Sequence, residues 1–284
     1  MKAGAAVPFP LRDGVAVVTG AASGIGAALA VALAGRGCNL ALADVNAAGL
    51  QGVASRARSG GVKVTEHSLD VADEGAIAAL PEAVLNEHRR VTVLINNVGV
   101  ALGGTFEQVP AVDFEWLFAI NFWGVVHMTR AFLPVLRREE AAHIVNLSSV
   151  FGIVAPPGQV AYSASKFAVR GFSEALRHEL EGSSVGVSVV YPGGVRTAVD
   201  TSARRTGLTK AEADAQMSFS AKLQQLAPEA AAERIIRGIL RRENRVLVGR
   251  DARQIAAIQR VFPVGYWPVL ARLLGRNARR GSRG

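Results

Sequence analysis

Tyr162 and Lys166 stand four residues apart, and Ser149 lies thirteen residues upstream of the tyrosine. On an α-helix, residues i and i+4 lie about 40° apart on one face. A phenol and an ammonium at that spacing therefore share a side. A fixed ammonium favours the phenolate and lowers a tyrosine pKa from its ordinary value of about 10. Tyr162 thereby becomes a candidate acid/base near neutral pH, and the Ser149 hydroxyl could polarise a carbonyl held between them. Tyr-x-x-x-Lys alone arises often by chance, so its weight depends on what else the chain carries.

The second chemical signal is glycine-rich. Thr19-Gly20-Ala21-Ala22-Ser23-Gly24-Ile25-Gly26 follows an apolar run and opens an Ala-rich segment. Glycines at a strand-to-helix turn let backbone approach a pyrophosphate, whose charge the helix N-terminus favours. The spacing is G-x-x-x-G-x-G, and the plain alternative is a turn that binds nothing. Asp44 follows 18 residues after Gly26. An acid there accepts hydrogen bonds from ribose hydroxyls and repels a 2′-phosphate. No Lys or Arg occupies 45–47 to offset it, which favours NAD over NADP. The alternative for Asp44 is a cap on the following helix.

These residues need a scaffold. Short β-branched and apolar runs predict strands over 15–19, 39–43, 62–69, 91–95, 143–147, 185–190 and 245–249. Helices are expected over 25–36, 47–59, 74–88, 162–181 and 228–242. Helical stretches fall within 106–138, where Pro134 bends or ends one. Strand–helix alternation implies an α/β fold, a doubly wound parallel sheet of seven strands with helices on both faces. Ligands bind beyond the carboxyl ends of such strands, and Asp44, Asp70, Asn97 and Ser149 all stand at those ends. Residues 196–225 are expected to form a mobile polar segment over the site, 261–274 an apolar stretch interrupted by prolines, and 276–284 a disordered tail. The chain is expected to be one domain over 1–284, with a core at about 12–250 and a basic, partly apolar extension at 251–284.

Charge is unevenly placed. Residues 1–200 carry 15 Lys+Arg against 17 Asp+Glu, and 201–284 carry 17 against 6, which together make the net +9. The basic character belongs to the C-terminal part, so it is weak evidence for nucleic-acid binding by the core. No apolar run approaches the roughly 18 residues of a membrane span. The first ten residues carry no expected signal peptide. The one cysteine, Cys38, is expected to be structural and fits a reducing, cytoplasmic setting. The five histidines show no metal-ligand spacing.

Taken together, these motifs resemble the short-chain dehydrogenase/reductase family over about residues 12–250, with a Rossmann fold. The family's glycine motif matches 19–26, including Gly20, Ser23, Gly24, Ile25 and Gly26, and its adenine-contacting pair matches Asp70-Val71. Its N-N-A-G motif matches Asn96-Asn97-Val98-Gly99, with Val in place of the usual Ala. Its catalytic Asn, Ser, Tyr and Lys match Asn121, Ser149, Tyr162 and Lys166, and its P-G motif matches Pro192-Gly193, with Val195 and Thr197 placed to meet the nicotinamide amide. The resemblance implies that Tyr162 transfers a proton, that Lys166 lowers its pKa and holds the nicotinamide ribose, that Ser149 polarises the substrate oxygen, and that Asn121 holds a water linking Lys166 to solvent. Asn121 as a buried amide capping backbone, and Ser148 in place of Ser149, stay open.

The implied activity is NAD-dependent interconversion of a secondary alcohol and a ketone in a homodimer or homotetramer, with contacts through the Asn121 and Tyr162 helices. Apolar Phe151, Ile153, Val154, Pro156 and Pro157 favour a lipophilic substrate. Rival readings are an NADPH-dependent 3-oxoacyl thioester or carbonyl reductase, a non-catalytic dinucleotide-binding scaffold, and a nucleic-acid-binding module. The apolar segment near the C-terminus could be a lid or subunit contact, a peripheral membrane contact, or a frayed tail.

Overall fold

Short runs of Val, Leu, Ile and Ala bounded by polar or glycine residues become the inner strands, buried on both faces, while the two edge strands, 64–68 and 245–248, are only partly buried. They form β1 (Val15–Thr19), β2 (Asn39–Asp44), β3 (Val64–Ser68), β4 (Val93–Asn96), β5 (Ala142–Leu147), β6 (Val185–Pro192) and β7 (Arg245–Val248) in the computed structural model, which describes residues 9–197, 199 and 203–280. Alternate side chains serve opposite faces. Ala16 and Val18 enter one core and Val17 the other, while Val93 and Ile95 part from Leu94 in the same way. Every strand pairing is parallel, in the order β3-β2-β1-β4-β5-β6-β7. The order reverses between β1 and β4, which leaves a crevice there.

One face is covered by α1 (Gly24–Ala34), α2 (Ala47–Arg58) and α8 (Pro228–Leu240), and the other by α3 (Glu74–His88), α5 (Gly124–Leu136) and α6 (Val160–Glu179). Local signals start two of them: Asn46 accepts the Gly49 N–H and Asp73 accepts the Ala76 N–H. Pro134 sits inside the last turn of α5, which runs on to Leu136.

The helical stretches expected within 106–138 are α4 (Ala111–Phe118), a π turn over Ala119–Trp123, and α5. Two expectations need correction. The polar segment 196–225 contains a helix, α7 (Lys210–Leu223), because Thr209 and Glu212 cap its first turn reciprocally. The C-terminal segment forms two helices, α9 (Arg250–Val261) and α10 (Tyr266–Arg280). Pro263 lies in the turn between them, and Pro268 falls in the first turn of α10, where a missing N–H costs little. The tail expected to be disordered from 276 is helical to Arg280, and its last four residues lie outside the described ones, as does most of the N-terminal stretch.

His143 on β5 shows how tightly the interior is held. Its Nε2 lies 2.7 Å from Ser188 Oγ, and that hydroxyl donates to the Glu243 carbonyl at 2.6 Å, so the ring carries its proton on Nε2. Nδ1 has no partner and faces Gly186, where a Cβ would come within 2.6 Å. Burial, helped by the Arg242 charge, pushes the imidazole pKa down to about 3. The neutral ring is thus the native form, while the unfolded chain takes up a proton below about pH 6.5. Stability therefore falls with pH from about 6.5 toward 3, at about 1.4 kcal/mol per pH unit from this residue. Urea denaturation of His143→Gln between about pH 6 and 4 should show a slope shallower by that amount; an unchanged slope would refute the assignment.

Candidate active site

Parallel strands deliver their carboxyl ends to one edge. Gly20, Asp44, Asp70, Asn97, Ser149 and Pro192 all stand there, at or just beyond strand ends. At the crevice between β1 and β4, the Asn97 amide donates to the carbonyls of Thr19 and Gly20 at 3.0 Å, and the Thr19 hydroxyl accepts the Asn97 N–H at 3.0 Å. The glycine turn is thereby pinned to the β4 end. Gly20 and Gly24 adopt φ of 64° and 53°. Gly26 admits no side chain, because a Cβ would meet the Gly20 carbonyl oxygen at 2.1 Å. Ser23 is exposed and does not cap α1, whose first turn holds no acid, while Ile25 is buried beneath. The N-terminus of α1 suits an anion, so the cradle fits a dinucleotide diphosphate. Asp44 accepts the N–H groups of Ala22 and Asn46, each at 2.9 Å, so its carboxylate sits beside the glycine turn. The cap of α2 is Asn46, not Asp44. Asp70 is exposed and closes its own turn on Ala72, and Val71 is buried against Gly124.

Ser149 begins a single 3₁₀ turn, and its oxygen accepts the Phe151 N–H at 3.1 Å. Ser148 points elsewhere: its hydroxyl donates to the Lys166 carbonyl at 2.8 Å and is buried. It ties α6 to β5 and is unsuited to polarise a substrate. Tyr162 and Lys166 share one face of α6 as the spacing predicts, with the Lys166 Nζ 5.8 Å from the centre of the phenol ring. The ammonium donates to the Leu147 carbonyl at 3.1 Å and is 3% exposed. A Cβ on Gly99 would lie 3.1 Å from Nζ, so the glycine leaves the room that the ammonium occupies. Asn121 lies in the π turn, fully buried. Its oxygen accepts the Val100 N–H at 2.8 Å, and its amide donates to the Val100 carbonyl at 3.0 Å and to Ser165 Oγ at 3.2 Å. The side chain thus straps the backbone at Val100 to Ser165 on α6.

Phe151 meets the Tyr162 ring edge-on at 6.1 Å. Ile153 and Val154 are buried with Tyr191, Ala256 and Leu270, in a cluster that Phe151 also borders. The residues grouped with Tyr162 are Leu102, Leu117 and Ala161, bordered by Phe114 and Trp116. Val195 is buried, and Thr197 lies against Gly24. Sequence reasoning passed over Asp113 and Arg204. They form an ion pair at 2.7 Å, with the guanidinium 3.6 Å from the centre of the Trp116 ring. The Arg204 N–H also donates to the Ala101 carbonyl. This clasps the segment after β6 over the β4–α4 connection. A lone Arg and Asp 91 residues apart leave no local pattern to find.

Burial lowers the Lys166 pKa from 10.5 to about 8. The charged form is therefore disfavoured in the native state, and the unfolded chain binds the extra proton between about pH 8 and 10.5. Stability should rise with pH through that window and carry a constant penalty below it. In the ligand-free protein, Lys166→Met should raise stability at neutral pH by about 2–3 kcal/mol and abolish the alkaline rise. Urea denaturation of both forms at about pH 7 and 9.5 checks this, and a variant less stable than wild type at neutral pH would contradict it.

Residues 14–207 match the family model for short chain dehydrogenase. SadH of Mycobacterium tuberculosis is 40% identical over 263 residues, covering 90% of this chain and 94% of SadH. A short-chain dehydrogenase/reductase from Burkholderia phymatum, solved in complex with NAD, superimposes with a TM-score of 0.83 at 32% identity, over 89% of this chain and 94% of that one. An alcohol dehydrogenase from the archaeon Thermococcus sibiricus, complexed with 5-hydroxy-NADP, gives a TM-score of 0.72 at 26% identity, over 83% and 95%. With the glycine turn, the crevice and the Tyr162–Lys166 pair all in place, the chain belongs to the short-chain dehydrogenase/reductase family and is an NAD(P)-dependent oxidoreductase.

Proposed function

We propose that the protein is an NAD-dependent dehydrogenase that interconverts a secondary alcohol and the matching ketone on a lipophilic substrate. The observation that carries this is the buried Lys166 ammonium beside the Tyr162 ring, at the crevice edge where Ser149 also stands. In this reading the catalytic residues are Tyr162, Ser149, Lys166 and Asn121. Tyr162 moves the proton to or from the substrate oxygen, because the nearby cation favours its phenolate. Ser149 donates its hydroxyl proton to the same oxygen and orients it. Asn121 would hold a water linking Lys166 to solvent, while its side chain holds Val100 and Ser165 so that α6 and the β4 end keep their spacing. Phe151, Leu102 and Leu117 supply the apolar surroundings that favour a lipophilic substrate and exclude water.

Hydride donation or acceptance is what a bound nicotinamide dinucleotide supplies to such a site. Gly20, Ser23, Gly24, Ile25 and Gly26 would hold its diphosphate, Asp44 its adenosine ribose, and Asp70 with Val71 its adenine. Asn97, Gly99, Pro192, Val195, Thr197, Tyr162 and Lys166 would hold the nicotinamide end. NAD is favoured over NADP because a 2′-phosphate would meet the Asp44 carboxylate with no cation at 45–47. The B. phymatum neighbour binds NAD, but the T. sibiricus one binds an NADP derivative, so the rival NADPH-dependent carbonyl reductase is a direct competitor. Exposed Trp123 on the π turn, with Val160 and Phe167 on α6, supports association as a homodimer or homotetramer through those elements. A cytoplasmic setting is part of this reading, supported by the single buried cysteine. No helix among the described residues is long and apolar enough to cross a membrane.

A panel of alcohols with NAD and NADP, and of ketones with NADH and NADPH, tests the reading. Tyr162→Phe should lower kcat by about a hundredfold or more while the variant still binds dinucleotide through the glycine turn; full activity in that variant would sink the mechanism. Asp44→Ala should narrow the preference for NAD over NADP by about tenfold. A wild-type enzyme faster with NADPH would hand the site to the reductase reading.

A further inference from the structure

The α9–α10 hairpin is not needed to complete the sheet, and its outer surface is unusual. Four consecutive residues at the turn, Val261 to Val264, are exposed; Val264 is 92% exposed, Val261 68% and Phe262 48%. A contiguous apolar tip of this kind marks an interaction surface. Arginines border it. Arg253, Ala257 and Arg260 recur at helical spacing on the solvent side of α9, and Arg250 and Arg272 are exposed as well. None of these arginines forms an ion pair among the described residues. Residues 250–284 contain eight arginines and a single acid, Asp251. That acid is turned inward, where its carboxylate accepts the Gly194 N–H at 2.7 Å, so it does not neutralise the outer face.

The inner side of the hairpin is anchored. Ala256 and Leu270 are buried against Ile153, Val154 and Tyr191, and the Tyr266 hydroxyl accepts the Ala155 N–H at 3.1 Å. The hairpin is therefore a firm projection and not a loose tail. Its occupant must accept apolar side chains at the tip and offer negative charge around them. A second copy of this chain is a poor candidate, because a two-fold contact would set the same cationic patch against itself.

We infer that the α9–α10 hairpin docks the enzyme on an anionic lipid surface, with Val261, Phe262 and Val264 entering the headgroup boundary and the arginines meeting lipid phosphates. This is an interfacial attachment, in which side chains penetrate only about 5–10 Å. It goes beyond the proposed oxidoreductase activity and stands or falls without it.

The test uses the full chain and extruded vesicles of phosphatidylcholine, with or without phosphatidylglycerol. Wild type should co-sediment with the phosphatidylglycerol vesicles only, and less so as salt is raised. Phe262→Asp with Val264→Asp should weaken this partitioning by about tenfold or more, with the thermal midpoint unchanged because both side chains are exposed. Arg253→Glu and Arg260→Glu should each cost about fivefold or more. Absence of vesicle binding, or binding that the tip variants leave intact, overturns the inference. So does a tip variant that lowers the oligomeric mass in sedimentation velocity while wild type ignores vesicles, since the patch would then be a subunit contact.

Discussion

A positive charge held away from water is the constraint around which the site is arranged. The Lys166 ammonium has one carbonyl, that of Leu147, and the face of Tyr162 in place of solvent. A charge so placed acts on its neighbours through a medium that screens poorly. The neighbours are arranged to suit it. Gly99 leaves the space, Ser148 grips the Lys166 backbone, and Asn121 fixes both the strand end above and the helix beside it. Such an arrangement opposes folding, and the apolar cores on the two sheet faces must offset it.

Position is secured by polar contacts buried within those cores. Asn96 and Asn146 are partners across β4 and β5, and the Asn96 amide donates to the Asn146 oxygen at 2.8 Å. Asn146 donates in turn to Ser173 on α6, and Asn96 to Thr129 on α5. Apolar packing tolerates small slides of a helix over a sheet; directional bonds in a low-dielectric interior do not. The helix bearing Tyr162 and Lys166 is therefore held in register with the strand that leads to Ser149.

Much of this was legible in the chain because it is local or periodic. Strands buried on both faces announce themselves as continuous apolar runs, and the glycine turn and Tyr-x-x-x-Lys are short-range patterns. What escaped depends on contacts distant in sequence. Nothing in 196–225 signals that Arg204 will meet Asp113, and a capping box in a polar stretch was passed over as loop. The apolar character of Ile153 and Val154 was plain, but not their partners, which come from β6, α9 and α10. The π turn at Asn121 has no sequence mark, and it decides that the amide faces Val100 and Ser165.

The strand order carries a consequence for how the chain is made. β1 lies between β2 and β4, and β4 begins only at Val93, more than seventy residues after β1 ends at Thr19. A chain emerging from the ribosome would present one side of β1 unpaired until that later strand arrives. Parallel pairing across such separations is slow to form and leaves strand edges open to wrong partners in the meantime. The crevice that makes room for a ligand in the finished protein is thus, during synthesis, the seam that closes late.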